Sequence, residues 1–245
     1  MTDRVPKIQP LSPDLIVQIQ DVYDRGLAVQ AHKLGLVHGP LASWQPAEAQ
    51  VLAGRIAVQL GAPRLSKWLH RCAHRAAPDL PEAQYFFALC LAHYRGSYVA
   101  WRWISRRDPP QGASADLLSS WFALVGNIAS AFRDFETANL WMAKAHAADP
   151  GNAWVHVCEA SLREAEDRYD DALALARQAL ALRPWYRPAM QLVAHLLTLQ
   201  GRDSEALELL REGNERVENG YLAAQQYALE VELHDNAAAA RSLDR

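Results

Sequence analysis

The sequence predicts an all-α protein made of stacked helical hairpins. Two observations carry that prediction. The first is composition: the 245 residues include 43 Ala and 33 Leu but only 23 Val, Ile and Thr together. Ala and Leu favour helix and β-branched residues favour strand. Half of the residues are hydrophobic and 22% are charged, which describes a globular chain and not a disordered one. The second observation is a period. Small residues recur at Gly54, Ala88, Gly126, Ala160, Ala194 and Ala228, and again at Ser66, Ala100, Ala138, Ala172, Ala206 and Ala240. Every step in both ladders is 34 residues except the second, which is 38 in each. Two ladders sharing one insertion, near residues 111–118, mark a repeated unit. Small residues on two successive helices let those helices cross closely.

The elements follow in order. Residues 13–46 read as a degenerate helical pair, with Leu15, Ile19, Val22 and Tyr23 on one face and Leu27, Ala31 and Leu34 on the next. That pair is expected to be an N-terminal cap or a divergent repeat. The array then runs through residues 47–80, 81–114, 119–152, 153–186 and 187–220, with an incomplete unit at 221–245. The units at 133–150, 167–184 and 201–218 (RDFETANLWMAKAHAADP, DRYDDALALARQALALRP and GRDSEALELLREGNERVE) each carry a turn, a small residue and an apolar helix. Pro78, Pro150 and Pro184 stop second helices, because proline cannot continue one. The second helix of the last unit is expected to begin near Asn236-Ala237 and to end short, leaving the array open at that end.

A 34-residue helix-turn-helix unit with this pattern resembles the tetratricopeptide repeat family, over residues 47–245. The resemblance implies a right-handed superhelical solenoid whose first helices line a concave groove. It also implies a protein or peptide partner held in that groove, in a scaffold or adaptor. Carried over by register, groove-facing candidates are Arg55, Gln59, Tyr85, Leu89, His93, Asn127, Ser130, Trp154, Ser161, Glu164, Gln191 and His195. Only Asn127 and Arg55 suit the capture of a C-terminal carboxylate, so a neutral or partly apolar ligand anchored by Tyr85, Trp154 and His195 fits better. The stretch EDRYDDALALARQALALRPWYRPA is also similar to N-terminal regions of some large bacterial proteins that carry a papain-like cysteine peptidase further along. On that reading the chain positions a catalytic domain beyond residue 245. Self-association through the open C-terminal end is a third reading.

Repeat four breaks the apolar pattern. His156, Glu159 and Arg163 share one helical face, with Glu159 N-terminal to Arg163, the favourable order for an i,i+4 pair. If that face is buried the three must satisfy one another, since unpaired buried charge is costly. Rotation of the helix towards solvent and a ligand site are the other two readings. His70 and His74 stand one turn apart, but Cys72 lies far round the helix, and two ligands do not make a structural zinc site. Trp101, Arg102, Trp103, Ile104, Ser105, Arg106 and Arg107 mix aromatic and basic side chains, which read as a solvated face with aromatic packing. No phosphate loop, nucleophile elbow or zinc-protease motif occurs. The sequence therefore implies no enzyme on this segment, no metal and no cofactor.

Net charge is -3, which leaves no global footprint for nucleic acid or for an anionic membrane. Three cysteines, odd and widely spaced, point to a reducing cytoplasmic setting. The N-terminus lacks an apolar signal core, and no apolar run is long enough to span a bilayer.

Overall fold

The computed structural model describes residues 10–233, 235 and 241. Among them are thirteen α-helices, two single-turn 3₁₀ segments and no strand. The chain divides into two compact units, Met1–Phe87 and Ala88–Arg245.

The first unit holds α1 (Pro13–Asp24), α2 (Ala28–Gly35), α3 (Ala47–Gln59), α4 (Pro63–Ala76) and the first half of α5 (Pro81–Arg95). Helix α1 starts where it does because the Ser12 side chain accepts from Leu15 N and Pro13 supplies a preset φ at the first position. Its core gathers Ile19, Ala31, Trp44, Leu52, Ile56 and Leu69. The sequence places Leu34 on the inner face of the second helix, but Leu34 is exposed, because α2 ends one residue later and turns into the 3₁₀ segment Leu36–His38.

The second unit continues through α6 (Ser97–Ile104), α7 (Ala115–Ala131), α8 (Phe135–Ala148), α9 (Ala153–Ala165), α10 (Tyr169–Leu182), α11 (Arg187–Leu199), α12 (Asp203–Arg216) and α13 (Gly220–Glu232). Helices α7 and α8, α9 and α10, and α11 and α12 are antiparallel pairs. The first helices also lie side by side, α7 on α9, α9 on α11 and α11 on α13. Ser114, Asp134, Asn152 and Asn219 cap α7, α8, α9 and α13 through their side-chain oxygens. Helix α6 is only eight residues long, and residues 111–118, where the ladder gains four residues, span the end of the following loop and the first turn of α7.

Small residues sit at the crossings, and close approach explains them. A Cβ on Gly54 would lie 2.5 Å from the His70 ring, and one on Gly126 would lie 3.2 Å from the Ala138 carbonyl. Ala138, Ala160, Ala172 and Ala206 have no exposed surface. The turns inside the pairs share one device. Ala62, Asp134, Arg168 and Arg202 each donate a backbone N–H to the carbonyl five residues back. The residue before each is left-handed: Gly61, Arg133, Asp167 and Gly201. Glycine takes that conformation freely, whereas Arg133 and Asp167 hold it at a steric cost.

The last rung of the first ladder shifts. Asn219 caps α13 so that it begins at Gly220, 33 residues after the start of α11 at Arg187. Leu222, Gln226, Leu229 and Glu230 then take the buried positions, and Ala228 faces solvent. The final rung at Ala240 and the helix expected from Asn236-Ala237 lie outside the described residues.

Candidate functional site

Helix α9 lies between α7 and α11 and carries most of the polar chemistry. Its N-cap, Asn152, is buried: Oδ1 accepts from Trp154 N at 2.9 Å, and Nδ2 reaches Ser119 Oγ at 2.7 Å and Ser120 Oγ at 3.0 Å on α7. The start of α9 is thereby fixed to the start of α7, with both polar atoms of the Asn152 side chain satisfied at a site closed to water.

Further along α9, Arg163 donates to Glu159 Oε1 at 2.7 Å and to Glu166 Oε2 at 2.8 Å. Glu159 Oε2 meets His146 Nε2 of α8 at 2.7 Å, and Glu166 Oε1 accepts from Asn139 Nδ2 of α8 at 3.0 Å. Arg168 closes the chain of charges on Glu166 at 3.1 Å. Glu159 and Arg163 are therefore brought together. His156 meets the network edge-on, its ring 4.8 Å from that of His146, while its Nε2 approaches the Pro150 carbonyl at 3.4 Å. Four members, Asn139, His146, Glu166 and Arg168, escape sequence reasoning. Asn139 and His146 sit on the neighbouring helix, where nothing in the periodic pattern says which side chain across the seam they will meet.

The Glu159 carboxyl is held down at about 2: the His146 hydrogen bond lowers it most, burial opposes the shift, and Arg163 adds to it. A carboxyl depressed in the folded state gives stability that is complete above its ordinary value of 4.5 and is lost as pH falls towards about 2. Glu159→Gln is expected to lose on the order of 1–3 kcal/mol near neutral pH and to show a flatter fall in stability below pH ~4.5 than the wild type. Urea unfolding across that range measures both, and identical acid limbs would remove Glu159 from the account.

The other groove candidates are dispersed. In the first unit, Arg55 donates to Gln20 Oε1 at 2.8 Å and stacks over the Tyr23 and Phe86 rings at 4.7 and 5.3 Å. Gln59 donates to the Tyr23 hydroxyl at 3.3 Å. Both are occupied by the α1 face. Tyr85 is only 5% exposed and edge-on to Phe86. In the second unit, Leu89 is half-buried and His93 is exposed. Asn127 hydrogen-bonds the Cys158 thiol, which burial pushes up to about 12 against that bond. Ser130 is half-buried and Ser161 exposed. Glu164 and His195 join α9 to α11 at 2.8 Å. Gln191 accepts from Arg187 through its side chain at 2.6 Å, and from Gln225 of α13 through its backbone carbonyl at 3.0 Å. Trp154 is half-buried against the cluster of Ala153, Val157, Ala179 and Ala189, and its Nε1, closed to solvent, finds no acceptor among the described residues. Arg187 Nε and Gln225 Oε1 are in the same state.

The metal-like triplet resolves differently. His70 stacks on Phe86 at 5.1 Å and His74 on Phe87 at 4.5 Å. Among the described residues, no group of three His, Cys, Asp or Glu side chains is placed to hold an ion. No helix there is long and apolar enough to cross a membrane.

Antiparallel helix pairs with first helices ranked side by side define a helical-repeat protein, a class whose members present rows of side chains from successive repeats. Residues 164–228 match the tetratricopeptide repeat family. Two solved structures similar to the chain are of that kind. A thermophilic tetratricopeptide repeat protein of Thermus thermophilus, TTC0263, is 19% identical, covers 76% of this chain and 100% of its own, and superposes with a TM-score of 0.54. A tetratricopeptide repeat protein from Parabacteroides merdae is 14% identical, covers 94% and 90%, and gives 0.53. No curated protein matches the sequence. Residues 164–228 thus match tetratricopeptide repeats, and the chain shares the fold of these two tetratricopeptide repeat structures.

Proposed function

We propose that the chain is a scaffold that holds an extended peptide or a partner helix against the row formed by α9, α11 and α13. One observation carries this reading: accessible polar side chains join three adjacent first helices, the Glu164·His195 pair linking α9 to α11 and half-buried Gln191 and Gln225 linking α11 to α13. An extended main chain supplies the donors and acceptors that such a row can meet. Beside them half-buried Trp154 offers a rigid aromatic face. The ligand this favours is neutral and partly apolar.

The test is a pull-down from source-cell lysate, read by mass spectrometry, with the chain as bait beside the variant Trp154→Phe, Gln191→Ala, His195→Ala. The Phe keeps the ring packing and removes only the N–H. A partner retained by the wild type and weakened about tenfold or more by the variant, at equal melting temperature, is the expected result. Partners indifferent to the variant would refute the use of this row.

A further inference from the structure

Two second helices, one in each unit, carry stripes of opposite charge. On α4, Arg64, Lys67, Arg71 and Arg75 fall on one face, and the helix contains no Asp or Glu. At about 100° per residue these four lie within about 80° of one another, over a length of about 16 Å. Trp68 stands beside that stripe, midway along it, and is 48% exposed. Arg64, Arg71 and Arg75 are exposed, and none of them is ion-paired with a described residue.

On α12 the pattern is reversed. Glu205, Glu208, Glu212 and Glu215 are all exposed and also lie within about 80°, over a length of about 15 Å. Glu205 is engaged by Arg202 at 2.7 Å, whereas Glu208, Glu212 and Glu215 have no ion-pair partner among the described residues. The two arginines of α12 are drawn elsewhere: Arg211 binds Glu230 at 3.0 Å, and Arg216 lies over the Trp185 ring at 4.5 Å.

We propose that the basic stripe of α4 on one copy of the chain docks on the acidic stripe of α12 on a second copy, with Trp68 covered in the contact. The chain supplies both halves of the match, equal in length and angular width and opposite in sign. An outside polyanion, such as nucleic acid or an anionic membrane, would meet a chain that is negative overall, at -3. A second copy meets the complementary stripe directly. The contact joins two different surfaces, a basic one from one copy and an acidic one from the other. Exposed pairs are screened by salt, so association is weak and ionic-strength dependent. This surface is separate from the α9, α11 and α13 row, and its failure would leave that row untouched.

Sedimentation velocity tests it on the full chain at ~20 mM and ~500 mM salt. At low salt the average mass should rise with concentration above the 27.3 kDa of one copy, and at high salt it should return there. The variant Arg64→Glu, Arg71→Glu, Arg75→Glu should remain at one copy, as should Glu208→Arg, Glu212→Arg, Glu215→Arg. An equimolar mixture of the two variants should associate again at low salt, which no misfolded variant would do. A wild type that stays at one copy throughout, variants that associate as it does, or a mixture that fails to associate would each overturn the proposal. So would capture of single-stranded DNA by a wild type that shows no self-association.

Discussion

Acidification from neutral pH to about pH 4 is expected to cost the chain on the order of 3 kcal/mol through His70, and His70→Leu should remove that cost. His70 projects from α4 onto Gly54 of α3 and is 4% exposed. Its ring stacks on Phe86, and its Nδ1 has no partner among the described residues. Burial first, and the Arg55 cation second, hold its pKa down at about 3 against an ordinary 6.5. The folded state therefore keeps the imidazole neutral where the unfolded chain takes up a proton. Stability is complete above pH 6.5 and falls as pH drops from there towards about 3. This window opens about two units above that of Glu159, so the two contributions separate in a titration. Urea unfolding of both proteins at steps of pH is the measurement. The leucine variant should lose less between neutral pH and about pH 4 by roughly the stated amount; parallel curves would show that His70 is not buried neutral.

Overpacking the helix crossings should have the next largest effect. Ala138→Leu and Ala172→Leu are each expected to destabilise the protein by about 1–3 kcal/mol. Both alanines are wholly buried, Ala172 in the cluster that contains Ala160 and Ala194, and Ala138 with its carbonyl against Gly126. A leucine in place of either must push α8 from α7 or α10 from α9, because the opposing surface is backbone and cannot rotate away. Ala143→Leu and Ala174→Leu place the same side chain on exposed positions of the same helices and should stay within about 0.5 kcal/mol of the wild type. Thermal melts of the four variants decide it. Equal melting temperatures for the buried and exposed substitutions would contradict the crossings.

The pattern of small residues was legible because a crossing is a local demand repeated at a fixed spacing. Gly126 and Ala138 each answer to the same geometry as Ala160 and Ala172, so the period shows in the sequence. The left-handed turns were legible only in part. Gly61 and Gly201 advertise them, but Arg133 and Asp167 occupy equivalent places, and their types say nothing of the conformation. The break at α13 was hidden for a different reason. The period favours Ala228, yet the cap at Asn219 sets the start of the helix, and one residue there rotates the buried face onto Gln226 and Glu230.

The polar network shows the same limit. Glu159 and Arg163 lie one turn apart on a single helix, so their pairing follows from spacing alone. Their meeting with His146 and, through Glu166, with Asn139 depends on how α8 settles against α9. The groove candidates divide likewise: register put Tyr85 and His195 in the same row, but Phe86 packs against one while the other stays open beside Glu164.

By itself, the sequence determined the helical class and the small residues on which successive helices cross, because these depend on spacing along one chain. The tertiary structure decided which side chains meet across a seam, which polar atoms are left without partners, and which charged faces remain open. Those depend on distances between helices, which no periodicity along a single helix encodes.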